Sequence, residues 1–398
     1  MEILYNYHDN LIEQVSNNFY RYLWNEVKWN QRMLAIKGPR GSGKTTLMLQ
    51  YIRFGLKKPR EQALYVTADH YWFYTHNLVE TAEAFYKNGG RYLFIDEIHK
   101  YPSWSTELKN IYDGYPKLSV VFSSSSALDI YRGSADLSRR VISYELPGLS
   151  FREYLEFSGY PKIASVSLKD LIKHHREIAI EIKKQIQPLP HFKKYLQYGY
   201  LPIFKESDAN EIPIRLSQTI TTIIESDLNY INDYSIGTAF KIKKLLGVLA
   251  ESAPFKPNIS AIANKLDVSR DSVYAWFVHL QNARLLNLVS ADGKGISLLQ
   301  KPDKIYLENT NLSYALKLNP DIGSVRETFL LNQLINSKSV VRLPKAGDFI
   351  VDDIVIEVGG KNKTKKQIKE YDLGILAVDD IETGSLNKIP LWLFGFLY

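Results

Sequence analysis

IKGPRGSGKTTLMLQYI, residues 36–52, decides how the first third of this sequence is read. Within it GPRGSGKT at 38–45 satisfies the pattern G-x-x-x-x-G-K-[ST]. Glycines at those places let the backbone curl until its N–H groups point inward at a phosphate, and a helix that starts there adds its positive end. Such a pattern also arises by chance. Here the apolar MLAIK (33–37) precedes it and the amphipathic TTLMLQYIRFGL follows it, the strand-loop-helix context that the chemistry needs. A phosphate chain would be cradled by Gly38, Pro39, Arg40, Gly41, Ser42, Gly43, Lys44, Thr45 and Thr46. Lys44 would lie against the β- and γ-phosphates, and the Thr45 hydroxyl would ligate Mg2+.

Working outward, RYLFIDEIHK at 91–100 is an apolar strand that ends in two carboxylates, fifty-two residues beyond Lys44. An acid there holds the magnesium of an ATP complex and a second orients the attacking water, so Asp96 is assigned to the metal and Glu97 to the water. ALYVT (63–67) and LSVVFS (118–123) read as two further buried strands, being short and continuously apolar. With helical stretches between them, the four strands predict an α/β fold built on a parallel sheet, with phosphate loop and carboxylate pair on adjacent strands. In VVFSSSSALD (120–129), Ser123 or Ser125 is placed to sense the γ-phosphate, or the run is a plain turn. ADLSRRV (135–141) carries Arg139 and Arg140. One of them, with Arg140 preferred, would neutralise charge on a phosphoryl group held by a neighbouring subunit; alternatively both pair with surface acids.

At 398 residues the chain exceeds what one core serves, and two or three domains are expected. The apolar 45% and charged 23% exclude wholesale disorder. There is no cysteine, which removes disulfides, thiolate catalysis and cysteine-bound zinc together. The first thirty residues lack the pattern of a secretory signal, and no run reaches the roughly 20 apolar residues that span a bilayer, so a cytoplasmic protein without a membrane segment is expected. Fifty basic against 43 acidic residues leave a charge of +7, compatible with nucleic acid without requiring it. The dense KNKTKKQIK (361–369) reads first as a solvated helix face.

From Ser150 to about Asn232 the texture is helical: SFREYLEFSG, LKDLIKHHREIAIEIKKQI and IRLSQTITTIIESDLNYI space apolar residues three and four apart. Three more helices follow in KIKKLLGVLA, ISAIANKL and SRDSVYAWFVHLQNARLL. ADGKG (291–295) then separates LLNLVS from ISLLQ as a hairpin would.

Taken in order, IKGPRGSGKTTLMLQYI, LFIDEIHKYPSW, FSSSSALDI, ADLSRR and LPGLSFREYL resemble the bacterial and archaeal AAA+-related P-loop ATPases. GYLP (199–202), the helical trio and the stretch from VRETFLLNQL to IEVGGK extend the likeness over nearly the whole chain, more loosely after 300. The resemblance implies bound ATP and its hydrolysis, a helical lid, a winged helix and a small α/β domain similar to restriction endonucleases. It divides the chain into 1–148 (P-loop core), 149–234 (lid), 235–302 (winged helix) and 303–398 (a degenerate endonuclease-like domain). SSSS stands where the family carries threonine-glycine-serine, which weakens the sensor assignment. The expected function is an Mg-dependent ATPase working as a conformational switch, with or without an oligomer. The rival is a nucleotide-gated DNA-binding or scaffold module with negligible hydrolysis; without DNA affinity, a protein partner is the target of the switch.

In the helix-turn-helix of 259–286, Ser269 is a candidate N-cap, Val273, Phe277 and Leu280 face inward, and Arg270, Ser272 and Tyr274 face a major groove. Asp271 argues against DNA, and Trp276 suggests a protein contact. In the last domain Glu327 on a helix, Asp348 before a strand and Glu357 at its end have the spacing of a metal-dependent nuclease. Gly359 stands where the lysine of D…E-x-K belongs, and Lys361 substitutes only if the chain kinks back. Trp392, Leu393, Phe394, Phe396 and Leu397 predict that the closing IPLWLFGFLY is buried, against the winged helix or the ATPase core.

Overall fold

The computed structural model describes residues 1–124, 137, 139–228, 234–252, 254, 256–291 and 302–398. Ser125, half of the ADLSRR stretch and the ISLLQ half of the expected hairpin lie outside them. The chain divides into two compact units, Met1–Gly148 and Leu149–Tyr398. Among the described residues no helix is long and apolar enough to cross a membrane.

The first unit is built on β1 (Met33–Lys37), β2 (Ala63–Thr67), β3 (Tyr92–Asp96), β4 (Ser119–Ser124) and β5 (Ile142–Glu145). They form one sheet in the order β2-β3-β4-β1-β5, and every pairing in it is parallel. The four strands expected from continuous apolar runs are all present. Their side chains alternate between two cores, as the twofold period of a strand requires. Met33, Ala35, Leu64, Val66, Leu93, Ile95, Val120 and Phe122 point to one face, where helices Leu78–Lys87 and Trp104–Gly114 add Ala82, Phe85, Leu108 and Ile111. Leu34, Ile36, Tyr65, Phe94 and Val121 point to the other, against Leu47 and Met48 of the helix after the phosphate loop. Strands buried on both faces have no room for alternation in sequence, which is why they read as unbroken apolar runs.

One expectation changes. The loop follows β1 and the carboxylates end β3, but β4 lies between those strands. Adjacency in sequence does not set adjacency in a parallel sheet, because each crossover helix can carry the chain past a neighbour.

The second unit joins helices to a mixed sheet of order β12-β11-β10-β9-β8. Its strands are β8 (Val341–Arg342), β9 (Phe349–Val351), β10 (Ile354–Gly359), β11 (Gly374–Val378) and β12 (Lys388–Pro390). β10, β11 and β12 run parallel, while β8, β9 and β10 are antiparallel. One hydrophobic core draws on Phe151, Phe192 and Tyr195 as well as Phe329, Ile356, Trp392, Phe394 and Phe396, so it runs through both the 149–234 and the 303–398 segments. The closing segment is buried, as its composition requires. Its main contacts are with helices Phe151–Phe157, Leu168–Lys183, Pro188–Lys194 and Ile322–Asn336 and not with the expected winged helix, because composition fixes burial but not the partner. Gly395 permits the closest of them, since a Cβ there would stand 2.4 Å from Phe151 Cβ.

Helices Ile259–Leu266 and Arg270–Asn282 form the expected helix pair, turning through Asp267 at φ 51°. Ser269 accepts the Ser272 N–H at 3.0 Å, and Val273, Phe277 and Leu280 are buried. Trp276 is buried too, so it belongs to this chain's own packing and is not presented to a partner. The following β6 (Leu286–Val289) pairs antiparallel with β7 (Lys304–Leu307).

Candidate nucleotide-binding site

Gly38 leaves β1 where no side chain fits: a Cβ there would lie 2.1 Å from the Leu146 carbonyl oxygen. Gly43, at φ 92°, turns the chain into helix Lys44–Gln50, which continues as a π-helical turn over Tyr51–Gly55. Its left-handed backbone is the conformation that glycine adopts without strain. The Lys44 ammonium folds back and donates to the Gly38 and Pro39 carbonyls, each at 3.0 Å. Arg21 ties the loop down from outside. It donates to the Ser42 carbonyl, and to the Pro147 and Gly148 carbonyls at 2.8 and 2.9 Å. The buried Ser42 hydroxyl has no hydrogen-bond partner among the described residues, which suits a group that awaits a ligand oxygen.

Asp96 ends β3 at 3% exposure and is surrounded by donors. Thr45 Oγ1 donates to Oδ2 at 2.5 Å and the Tyr65 hydroxyl donates to the same oxygen at 2.7 Å. Ser123 Oγ and the Glu97 N–H serve Oδ1, the latter at 3.1 Å. Thr45 and Asp96, paired from sequence as metal ligands, are thus in direct contact, and two hard oxygen donors at the foot of a phosphate loop fit Mg2+. Among the described residues no group of three or more His, Cys, Asp or Glu side chains forms a metal site, so phosphate and water oxygens would complete such a coordination sphere. Ser123 differs from expectation. Its hydroxyl donates to Asp96 and accepts the Glu97 N–H at 3.0 Å, so it braces the carboxylates and is not turned to a phosphate.

Glu97 sits at φ 51°, a left-handed conformation that costs a non-glycine residue energy and concentrates at functional sites. Its Oε2 makes no hydrogen bond among the described residues, standing 3.5 Å from His99 Nε2 and 3.7 Å from Lys100 Nζ. Burial pushes the Glu97 carboxyl up, with nearby Asp96 adding to the rise while Lys44, Lys100 and Arg40 oppose it. His99 is pushed down to about 3, by burial first and then by Lys44, Lys100 and Arg40, so the imidazole is neutral. Lys100 is itself held by Asp69 at 2.5 Å. Arg140 donates through Nε and Nη2 to the two oxygens of Asp113, both at 3.0 Å, which is the surface pairing that was the alternative to a phosphoryl contact. Arg139 is exposed.

Sequence reasoning missed Tyr65 and His99. The signal for His99 was present, a lone imidazole two residues after the carboxylate pair. Tyr65 carried only a weak one, a hydroxyl inside an apolar strand, because its contact with Asp96 arises from the parallel pairing of β2 with β3.

Residues 30–155 match the AAA domain model. The matched segment contains the loop, both carboxylates and all five strands of the first sheet. Residues 189–321 match a domain of unknown function (DUF8612). An uncharacterised protein of Methanocaldococcus jannaschii is 28% identical, over 95% of this chain and 86% of its own length. Among solved structures, a Walker-type ATPase of Pyrococcus abyssi aligns with 77% of this chain and 99% of its own, at 11% identity and TM-score 0.44. PCH-2 of C. elegans aligns over 69% and 68%, at 14% identity and TM-score 0.26.

In the second unit Glu327 lies on helix Ile322–Asn336, Asp348 precedes β9 and Glu357 lies in β10, two strands where one was expected, and among the described residues the three do not form a metal site. Each is engaged. Glu327 accepts from Lys304 at 2.8 Å and the Tyr306 hydroxyl at 2.9 Å, Asp348 from the Val358 N–H at 2.8 Å. Glu357, 1% exposed, is paired at 2.5 Å with Lys363, while Lys361 is exposed. The ammonium at this site therefore comes from Lys363, because the chain turns back two residues later than the glycines suggested. Burial, then Glu327 and Glu357, pushes the Asp348 carboxyl up to about 6.

Proposed function

We propose that the first unit binds ATP with Mg2+ and hydrolyses it, working as a conformational switch. The observation that carries this reading is the contact of Thr45 with Asp96 beneath a loop whose lysine is already turned over its carbonyls. Lys44 would exchange those carbonyls for β- and γ-phosphate oxygens, and the inward N–H groups of the loop through Thr46 would bind the rest of the chain. Thr45 and Asp96 would hold Mg2+, which when bound offsets the charge of the phosphates. Glu97 takes the proton of the attacking water. Its raised affinity for a proton suits a general base, and the neutral His99 beside it cannot cancel its charge by ion pairing. Arg140, paired with Asp113 in its own chain, would act only on the nucleotide of a neighbouring subunit.

Two variants test it. Lys44→Ala should abolish binding of a fluorescent ATP analogue. Glu97→Gln should keep that binding while phosphate release falls by about 100-fold or more. Parent-like hydrolysis by both would overturn the assignment. A DNA-responsive switch is the second reading, favoured by Arg270 standing exposed at the start of the second helix of the pair while Trp276, the residue that pointed to protein, is buried. Duplex DNA added to the same assay at low and high salt separates the two, since phosphate contacts weaken steeply with salt.

A further inference from the structure

We infer that Tyr65 is a positioning residue for the metal-facing oxygen of Asp96; this rests on the Mg·ATP reading above. Asp96 Oδ2 has two side-chain donors, Thr45 Oγ1 and the Tyr65 hydroxyl, whereas Ser123 and the Glu97 N–H occupy Oδ1. A threonine hydroxyl has one proton and two lone pairs, so Thr45 can face a cation with a lone pair while its proton stays on Oδ2. Tyr65 is the donor to Oδ2 that is not itself a proposed metal ligand, and it aims Oδ2 while Ser123 and the Glu97 N–H hold Oδ1. Without it Oδ2 is held only by Thr45, whose own position follows the metal, and the carboxylate can swing about its χ2 torsion, which is soft for an aspartate.

Tyr65 is built to hold still. Its backbone N–H donates to His8 Nδ1 at 2.9 Å, from helix Glu2–Gln14, and its ring stacks on Tyr7 of the same helix at 6.4 Å. β2 is an edge strand, so this helix supplies the partners that a further strand would otherwise provide. Residues behind the ligands of a metal set its affinity by fixing ligand orientation, and losing one costs about 10- to 100-fold.

The test uses the full chain and a fluorescent ATP analogue, with binding as the readout. In the parent, Mg2+ titrated into protein and nucleotide raises affinity with a defined midpoint. Tyr65→Phe removes one oxygen and keeps the ring. It should move that midpoint up by about tenfold while affinity measured in EDTA stays within about twofold. Asp96→Asn is run alongside. If it shifts the midpoint and Tyr65→Phe does not, the inference about Tyr65 is overturned and the Mg·ATP reading stands. If neither shifts it, both fall. An equal loss of affinity in EDTA and in Mg2+ would also overturn the inference, since that marks a general structural role. Melting curves confirm that the variant is folded, and Tyr65→Met replaces it if it is not.

Discussion

Phe396 offers the sharpest test of how the second unit is held together. Its ring is fully buried, edge-on to Phe151 at 5.9 Å and to Trp392 at 5.9 Å. Its carbonyl accepts the Val166 N–H at 2.9 Å, a backbone bond that survives substitution. Phe396→Ala therefore isolates the ring. Truncating a buried phenylalanine costs about 3–5 kcal/mol, and the two edge-on contacts place this site toward the upper end. In a unit of this size 1 kcal/mol moves a melting temperature by about 2–4 °C, so a drop of roughly 6–20 °C is expected. Calorimetry of the full chain with and without an ATP analogue identifies the transition to follow. The first unit's transition should rise with ligand, and the one that does not rise should carry the loss. Leu386→Ala is the control, because that side chain is 93% exposed and should change stability by no more than about 0.5 kcal/mol. If Phe396→Ala melted within about 2 °C of the parent, as the control should, the closing segment would not be part of the core.

Two further outcomes are expected. Gly38→Ala would place a Cβ 2.1 Å from a backbone oxygen that has no rotamer to yield, so nucleotide affinity should fall at least about tenfold in a fluorescence titration without a change in the second unit's melting. The Asp348 carboxyl holds its proton to about 6 when folded but ionises near 3.8 otherwise, so its charge costs the folded state nothing below pH 3.8, progressively more up to 6, and roughly 2–3 kcal/mol above that. Asp348→Asn, whose amide oxygen can still accept the Val358 N–H, should gain stability over the parent at pH 8 and much less at pH 4.5; denaturant midpoints showing the same gap at both would rule out the buried charge as the source of the gain.

Four of the five strands of the first sheet, the loop at 38–45, the two carboxylates and the burial of the closing aromatics were legible in the amino-acid sequence. All of these depend on local pattern: runs of apolar residues, a fixed spacing of glycine and lysine, or a density of large side chains that water would not tolerate. The tertiary structure alone decided which groups meet. β4 enters between β1 and β3, Tyr65 reaches Asp96 from a strand thirty-one residues earlier, and Ser123 turns to the carboxylates instead of a phosphate. Lys363, not Lys361, reaches Glu357, and residues 391–396 settle on helix Phe151–Phe157, more than two hundred residues before them. Such pairings follow from crossover connections and from the way a core is filled. One sequence pattern is compatible with several strand orders and several partners, and packing free energy summed over the whole unit chooses among them.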